Sequence, residues 1–137
     1  MKVMLDRDAK LPNRAHKTDA GLYLYCREKK RIWPGQSAVF DTGVHIQLPH
    51  GYYGEVTSKS GLNINHGVVS HGGTIDEGYT GSIHAVLYNH GQEAVPFRAG
   101  DKICQLVVLP CVIEPVELVD ELEETERGDA GFGSTGR

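Results

Sequence analysis

The chain has 137 residues, with 14 Lys+Arg against 18 Asp+Glu and a formal net charge of -4 at pH 7. That length suits one domain with a core of its own, and the acidic balance excludes a protein that holds nucleic acid by whole-chain positive charge. Charged residues at 23% and hydrophobic ones at 39% exclude a disordered polyelectrolyte.

In chain order, Met1-Lys2-Val3-Met4-Leu5-Asp6 meets charge at once, as expected of a chain with no signal-peptide core. Apolar runs such as 106–109 fall far below a membrane span of ~20 residues. The dominant period is two. Leu22, Leu24 and Cys26 alternate with Tyr23 and Tyr25, and Val44, Ile46 and Leu48 with His45 and Gln47. Ile83, Ala85 and Leu87 alternate with His84, Val86 and Tyr88. The run 103–109 suits a strand buried on both faces. Turn signals separate these runs, among them Pro34-Gly35, Asp41-Thr42-Gly43 and Gly72-Gly73. Many short strands at this spacing predict an all-β sandwich or barrel.

Three cysteines, Cys26, Cys104 and Cys111, lack CxxC spacing, so neither a zinc knuckle nor a disulfide framework is expected and a reducing cytoplasm is the simplest setting. The seven histidines form no HExxH pair. Between Glu114 and Glu126 stand seven acidic residues, with Val119 and Leu122 spaced for one face of a helical turn. Four glycines then fall within residues 127–137, too many to order by packing alone. A disordered tail is one reading. The other is an arm that orders over a ligand, with Phe132 as a stacking face and Arg127 as a phosphate fork.

Three internal stretches carry candidate chemistry. Residues 73–81 read either as a plain β-hairpin with an acidic turn or as a hairpin whose open backbone edge reads a base, with Asp76 holding a water and Tyr79 packed on a sugar. Ser58-Lys59-Ser60-Gly61-Leu62 suits a phosphate-binding turn but lacks the GxxxxGK[ST] spacing. Gln105 places an amide inside an apolar run, which requires a partner if buried.

The order of these stretches is more specific than any one of them. Over essentially its whole length the chain resembles the trimeric deoxyuridine triphosphatases (dUTPases), which carry five motifs in fixed order. The counterparts are Asp19-Ala20-Gly21-Leu22-Tyr23-Leu24; Lys59-Ser60-Gly61-Leu62; Gly73-Thr74-Ile75-Asp76-Glu77-Gly78-Tyr79-Thr80-Gly81; Gly100-Asp101-Lys102-Ile103-Cys104-Gln105-Leu106; and residues 127–136.

The resemblance implies a jelly-roll-like β-barrel subunit over residues 1–126 and a flexible, Gly-rich C-terminal arm over 127–137 that closes on the site. It implies a homotrimer with shared active sites, no stable nucleic-acid binding and no membrane association. The source would be bacterial, or a phage or prophage, and the location cytoplasmic. The reaction implied is hydrolysis of dUTP to dUMP and pyrophosphate with Mg²⁺, which limits uracil in DNA and supplies dUMP for dTMP synthesis. Asp76 would orient and deprotonate water for attack at the α-phosphorus. Tyr79 would pack on the deoxyribose. Ser70, Gly73, Thr74, Ile75 and His84 would read uracil. Lys59, Ser60, Gly61 and Gln105 would hold phosphates, and Mg²⁺ would be held mainly by phosphates and water rather than by side chains. In the arm, Arg127, Ser134 and Thr135 would contact phosphates, with Phe132 and Gly133 at the base.

The chain departs from the family pattern at four places. Tyr23 stands where an acid is usual, and Lys59 stands for an arginine, keeping charge without the bidentate fork. Asp129-Ala130 replaces small residues, and Ser70 aligns with a position that often carries asparagine. Two rival functions are a dCTP deaminase and a non-catalytic regulator. The deaminase needs an acid in the strand after Gly81, where Val86 aligns and residues 82–88 carry none. The intact Asp76 and the complete fifth motif argue against the regulator.

Overall fold

The computed structural model describes residues 1–71 and 73–131. Phe132, Gly133, Ser134 and Thr135 of the expected arm lie outside the described residues. The strands are β1 (Lys2–Leu5), β2 (Leu22–Tyr25), β3 (Lys30–Ile32), β4 (Ser37–Asp41), β5 (Val44–Gln47), β6 (Tyr52–Ser58), β7 (Val68–Ser70), β8 (Thr74–Ile75), β9 (His84–Asn89), β10 (Val95–Phe97) and β11 (Lys102–Pro110), with one helix, α1 (Ser60–His66), after β6.

All pairings are antiparallel. They build the sheets β2-β11-β6-β8 and β4-β9-β7 and the pairs β1-β5 and β3-β10. Their inner faces share one core containing Leu24, Ile32, Phe40, Val44, Ile83, Leu87, Phe97, Ile103 and Leu106. The Phe40 and Phe97 rings meet edge to face at 5.2 Å, a favoured arrangement for aromatic quadrupoles. The fold is all-β, as the period of two predicts, and jelly-roll-like, as the family resemblance implies. Among the described residues its sheets pack face to face and do not close into a continuous barrel.

Two buried polar side chains are fully employed. The Thr42 hydroxyl donates to the Ile83 carbonyl at 2.7 Å. Asn89 donates to the carbonyls of Ile32 and Glu93 and accepts from the Gly91 amide. Such bonds remove the cost of burying polar groups and tie loops to the ends of β4 and β9.

Three expectations need correction, and one element goes beyond them. The stretch 73–81 is not a β-hairpin: β8 pairs with β6, whereas β9 pairs with β4 and β7. The chain changes sheets there because Ile75 and Ile83, both buried, anchor on different sheets. The run 103–109 is not buried on both faces throughout. Ile103, Cys104 and Leu106 are buried, and residues 107–109 are only half-buried. No helical turn forms around Val119 and Leu122, which stand 48% and 87% exposed. Residues 112–130 are all exposed, so the acidic run has no apolar surface against which a helix could form. Finally, α1 was not anticipated. It has no buried residue, and Gly67 closes it at φ +66°, a left-handed cap that glycine adopts without steric cost.

Arg27 binds Asp6 and Asp41, each at 3.2 Å, and the Arg7 carbonyl at 3.0 Å, holding the N-terminal segment against β4. Burial opposes ionisation of Asp41. Hydrogen bonds from the Ser82 hydroxyl and the Gly43 amide, with charge from His84 and Arg27, outweigh it and hold this carboxyl below its usual 3.8. A depressed carboxyl pKa stabilises the fold above the unfolded value, and this contribution fades as pH falls through the folded one. Urea midpoints measured between pH 6 and about pH 3 are expected to fall less steeply for Asp41→Asn than for the parent.

Candidate functional site

Asp76 directly follows Ile75, the last residue of β8, and opens a turn in which the Tyr79 amide donates to the Asp76 carbonyl at 3.0 Å. Ile75 is buried against Gly54 of β6. Alternation along the strand therefore directs Asp76 outward, where it is exposed. Among the described residues its carboxylate accepts no hydrogen bond from protein. It is an unpartnered carboxyl group on a turn closed by that bond.

Tyr79 lies beside it. Its hydroxyl donates to the Ser82 carbonyl at 2.8 Å, and its ring covers Gly81 so closely that a Cβ there would stand 2.6 Å from Cζ. One ring face is thus fixed on backbone, while the residue remains 43% exposed. His84 Nδ1 shares the same carbonyl at 2.9 Å. His45 holds the loop from behind, donating from Nδ1 to the Thr80 carbonyl at 2.8 Å with Nε2 3.2 Å from Asp6. The Thr80 carbonyl, with the Asp6 carboxylate behind it, raises the imidazole pKa above its ordinary value.

On the side expected to read the base, the Ser70 amide donates to the Ser58 hydroxyl at 2.8 Å, and that hydroxyl donates to the Ser70 carbonyl at 3.1 Å. The Ser70 Oγ is buried without a partner. β8 is an edge strand, so Thr74 and Ile75 keep one side of their backbone unpaired, as a base-reading edge requires.

The expected phosphate side lies elsewhere. Gln105 pairs with Tyr23 on one side and Thr57 on the other. Its neighbours Cys104 and Leu106 point into the core, so the amide points outward over Gly21. A Cβ on Gly21 would come within 2.8 Å of Gln105 Cδ. The two motifs are therefore packed as one surface, lining a cavity of about 340 Å³ with Asp19, Ala20, Tyr23 and Val107. The Lys102 ammonium sits 4.0 Å from the Tyr23 ring centre. Lys102 also borders a larger cavity of about 670 Å³ that holds Lys59, Leu62, His66, Phe97 and Asp101. Ser60 and Gly61 form the first turn of α1 at its rim.

These two regions are well separated. Ile75 pairs with Gly54, and Gly54 with Val108, so Asp76 is level with Leu109, four residues along β11 from Gln105. At ~3.3 Å per residue and ~4.8 Å per strand, the Cα atoms stand roughly 16 Å apart. Arg127 belongs to neither region: its Nε donates to Ala130 at 2.9 Å within an exposed turn.

Glu77, which the third motif carries directly after Asp76, has a place of its own. Its carboxylate accepts the Gly51 amide at 2.9 Å and stands 3.1 Å from His50 Nδ1. The Gly51 amide, then His50, lower its pKa. Nothing in the local sequence signals this contact, because Gly51 lies 26 residues away. Among the described residues no group of three or more His, Cys, Asp or Glu converges as a metal site.

The model of the dUTPase family matches residues 7–136. A deoxyuridine 5'-triphosphate nucleotidohydrolase from Clostridium tetani is 43% identical over 136 residues, covering 98% of this chain and 94% of that protein. Its counterpart from Cutibacterium acnes is 46% identical over 129 residues, covering 92% and 85%. The solved dUTPase of Staphylococcus bacteriophage 80alpha with dUPNHPP superposes at a TM-score of 0.92 with 30% identity, over 99% of this chain and 98% of that one. A dUTPase from phage phi11 of S. aureus, solved with a structural Mg(II) ion, superposes at 0.82 with 29% identity over 90% and 98%. With motif order, jelly-roll-like fold, family model and near-full-length relatives in agreement, the chain belongs to the dUTPase family.

Proposed function

We propose that the chain hydrolyses dUTP to dUMP and pyrophosphate, with Asp76 as the base that orients and deprotonates the attacking water at the α-phosphorus. The observation that carries this is the exposed Asp76 carboxylate, free of protein partners, on the same turn as a Tyr79 ring pinned over Gly81. A base must be free to accept a proton, and a fixed aromatic face packs on the deoxyribose where a 2′-hydroxyl would intrude. The edge of β8, the backbone at Gly73 and His84, and Ser70 surround the uracil. The strand β9 carries no acid for deamination.

Lys59, Ser60, Gly61 and Gln105 hold the phosphates, and Arg127 joins them from the arm with Ser134 and Thr135, while Phe132 and Gly133 close on the base. Phosphoryl transfer needs positioning and charge neutralisation more than covalent chemistry, which suits cations and amides around one carboxylate. Mg²⁺ bound with the substrate neutralises phosphate charge. Such an ion is carried mainly by phosphates and water rather than by side chains.

The separation of Asp76 from Gln105 supports a homotrimer in which each site draws these residues from different subunits. Residues 1–126 form the body of each subunit and 127–137 its closing arm. Cys26, Cys104 and Cys111 are free, which suits a reducing cytoplasm. Among the described residues no helix is long and apolar enough to cross a membrane. The physiological role is to limit uracil in DNA and to supply dUMP for dTMP synthesis.

Asp76→Asn keeps the shape and removes the base. Turnover is expected to fall ~10²–10⁴-fold with nucleotide binding retained, and hydrolysis in ¹⁸O-water by the parent should label dUMP rather than pyrophosphate. Near-parental turnover, or label in pyrophosphate, refutes the mechanism. Truncation after Glu126 is expected to cut turnover strongly while light scattering still reports a trimer. A fully active truncated chain, or a fully active monomer, contradicts the shared site and its arm.

A further inference from the structure

The ladder between β6 and β8 ends at the Gly54–Ile75 pair. Continued in the same register, Asp76 stands opposite Tyr53 and Glu77 opposite Tyr52. No main-chain pairing is present there. A side chain takes over instead: the Glu77 carboxylate accepts the amide of Gly51, the residue that precedes β6, at 2.9 Å. The Gly51 carbonyl in turn accepts the Cys111 amide at 2.9 Å, so Gly51 is held through both of its backbone polar groups at the point where β11 gives way to the C-terminal segment.

Asp76 is therefore bracketed. The residue before it is locked by the ladder and by burial of Ile75. The residue after it is tied through its side chain to a different turn. The Tyr79-to-Asp76 bond closes the turn behind it. We propose that Glu77 is a positioning residue that fixes the direction of the Asp76 carboxylate by anchoring its turn to the Gly51 amide. This rests on the assignment of Asp76 as the base.

The bond to Gly51 is the working part. An ionised acceptor shortens and strengthens an N–H bond, and the Glu77 side chain is only 33% exposed. His50 is 91% exposed, and an ion pair so wet contributes little. Without the anchor, the turn keeps its Tyr79-to-Asp76 bond and, further along, the bonds of His45 to Thr80 and of Tyr79 to Ser82. None of these holds Glu77, and the segment next to Asp76 can swing about Ile75. A displacement of ~1 Å at a reacting group can cost ~10²-fold in rate.

The test compares Glu77→Ala, Glu77→Asp and Glu77→Gln with Asp76→Asn and the parent, reading kcat and KM for dUTP, thermal unfolding, and hydrogen exchange at the Gly51 amide. Glu77→Ala is expected to lower kcat ~10–100-fold and to leave KM within about threefold, with faster exchange at Gly51. Glu77→Asp retains the charge but is one methylene too short, and should behave like Glu77→Ala even if the alanine variant folds poorly. Glu77→Gln keeps an acceptor oxygen and should recover most of the lost kcat. Parental kcat in both Glu77→Ala and Glu77→Asp, with Asp76→Asn still inactive, overturns the positioning role and spares Asp76. A loss confined to KM, or no recovery in a folded Glu77→Gln, also overturns it. Parental turnover in Asp76→Asn overturns the base assignment itself and the role built on it, whatever Glu77 does.

Discussion

The register of β11 is the constraint on which the other features depend. This strand lies between β2 and β6 and pairs with both. Its pairing with β2 slips between Lys102 and Cys104. The extra residue lets two successive side chains, Ile103 and Cys104, both point into the core, which a regular strand forbids. Beyond the slip, alternation resumes with Leu106 inward and Gln105 outward. A slip of one further residue would drive the Gln105 amide into the core and turn Leu106 to solvent, so the burial of Leu106 and the position of Gln105 are one fact.

The same register sets the distance across the sheet. β8 reaches β11 only through β6, and it pairs near the far end of β6 from Gln105. The carboxylate and the phosphate-side amide therefore belong to opposite ends of one sheet. An acidic chain can still attract a polyphosphate, because Lys59 and Lys102 border one cavity and local field, rather than net charge, steers a ligand. The homotrimer proposed above would bring the carboxylate and the phosphate-side amide together at a site assembled between subunits.

Close backbone contact is the second device. Gly21 lies under Gln105, and Gly81 lies under the Tyr79 ring. In each case the missing Cβ leaves space for a side chain to pack directly on backbone. Rigid seating of this kind lowers the entropy lost on binding. It also explains glycines that neither a turn nor a positive φ requires.

The sequence by itself determined the class of fold and the identity of the chemistry. Alternation at Leu22–Cys26, Val44–Leu48 and Ile83–Leu87 predicts strands because the strand period of two is written in adjacent residues, and all three sets are buried as that period requires. The motif order placed the chain in its family for a similar reason: each motif is a contiguous run that can be read locally. Tertiary structure decided what depends on distant partners. Residues 73–81 look like a hairpin, yet β8 and β9 join different sheets, because pairing is chosen by where Ile75 and Ile83 find a core. The helix Ser60–His66 has no apolar stripe to announce it. Glu77 reads as a spare acid until the fold brings Gly51 to it. Local sequence encodes period and residue chemistry. Register, sheet membership and long-range hydrogen bonds emerge only when the whole chain competes for one core.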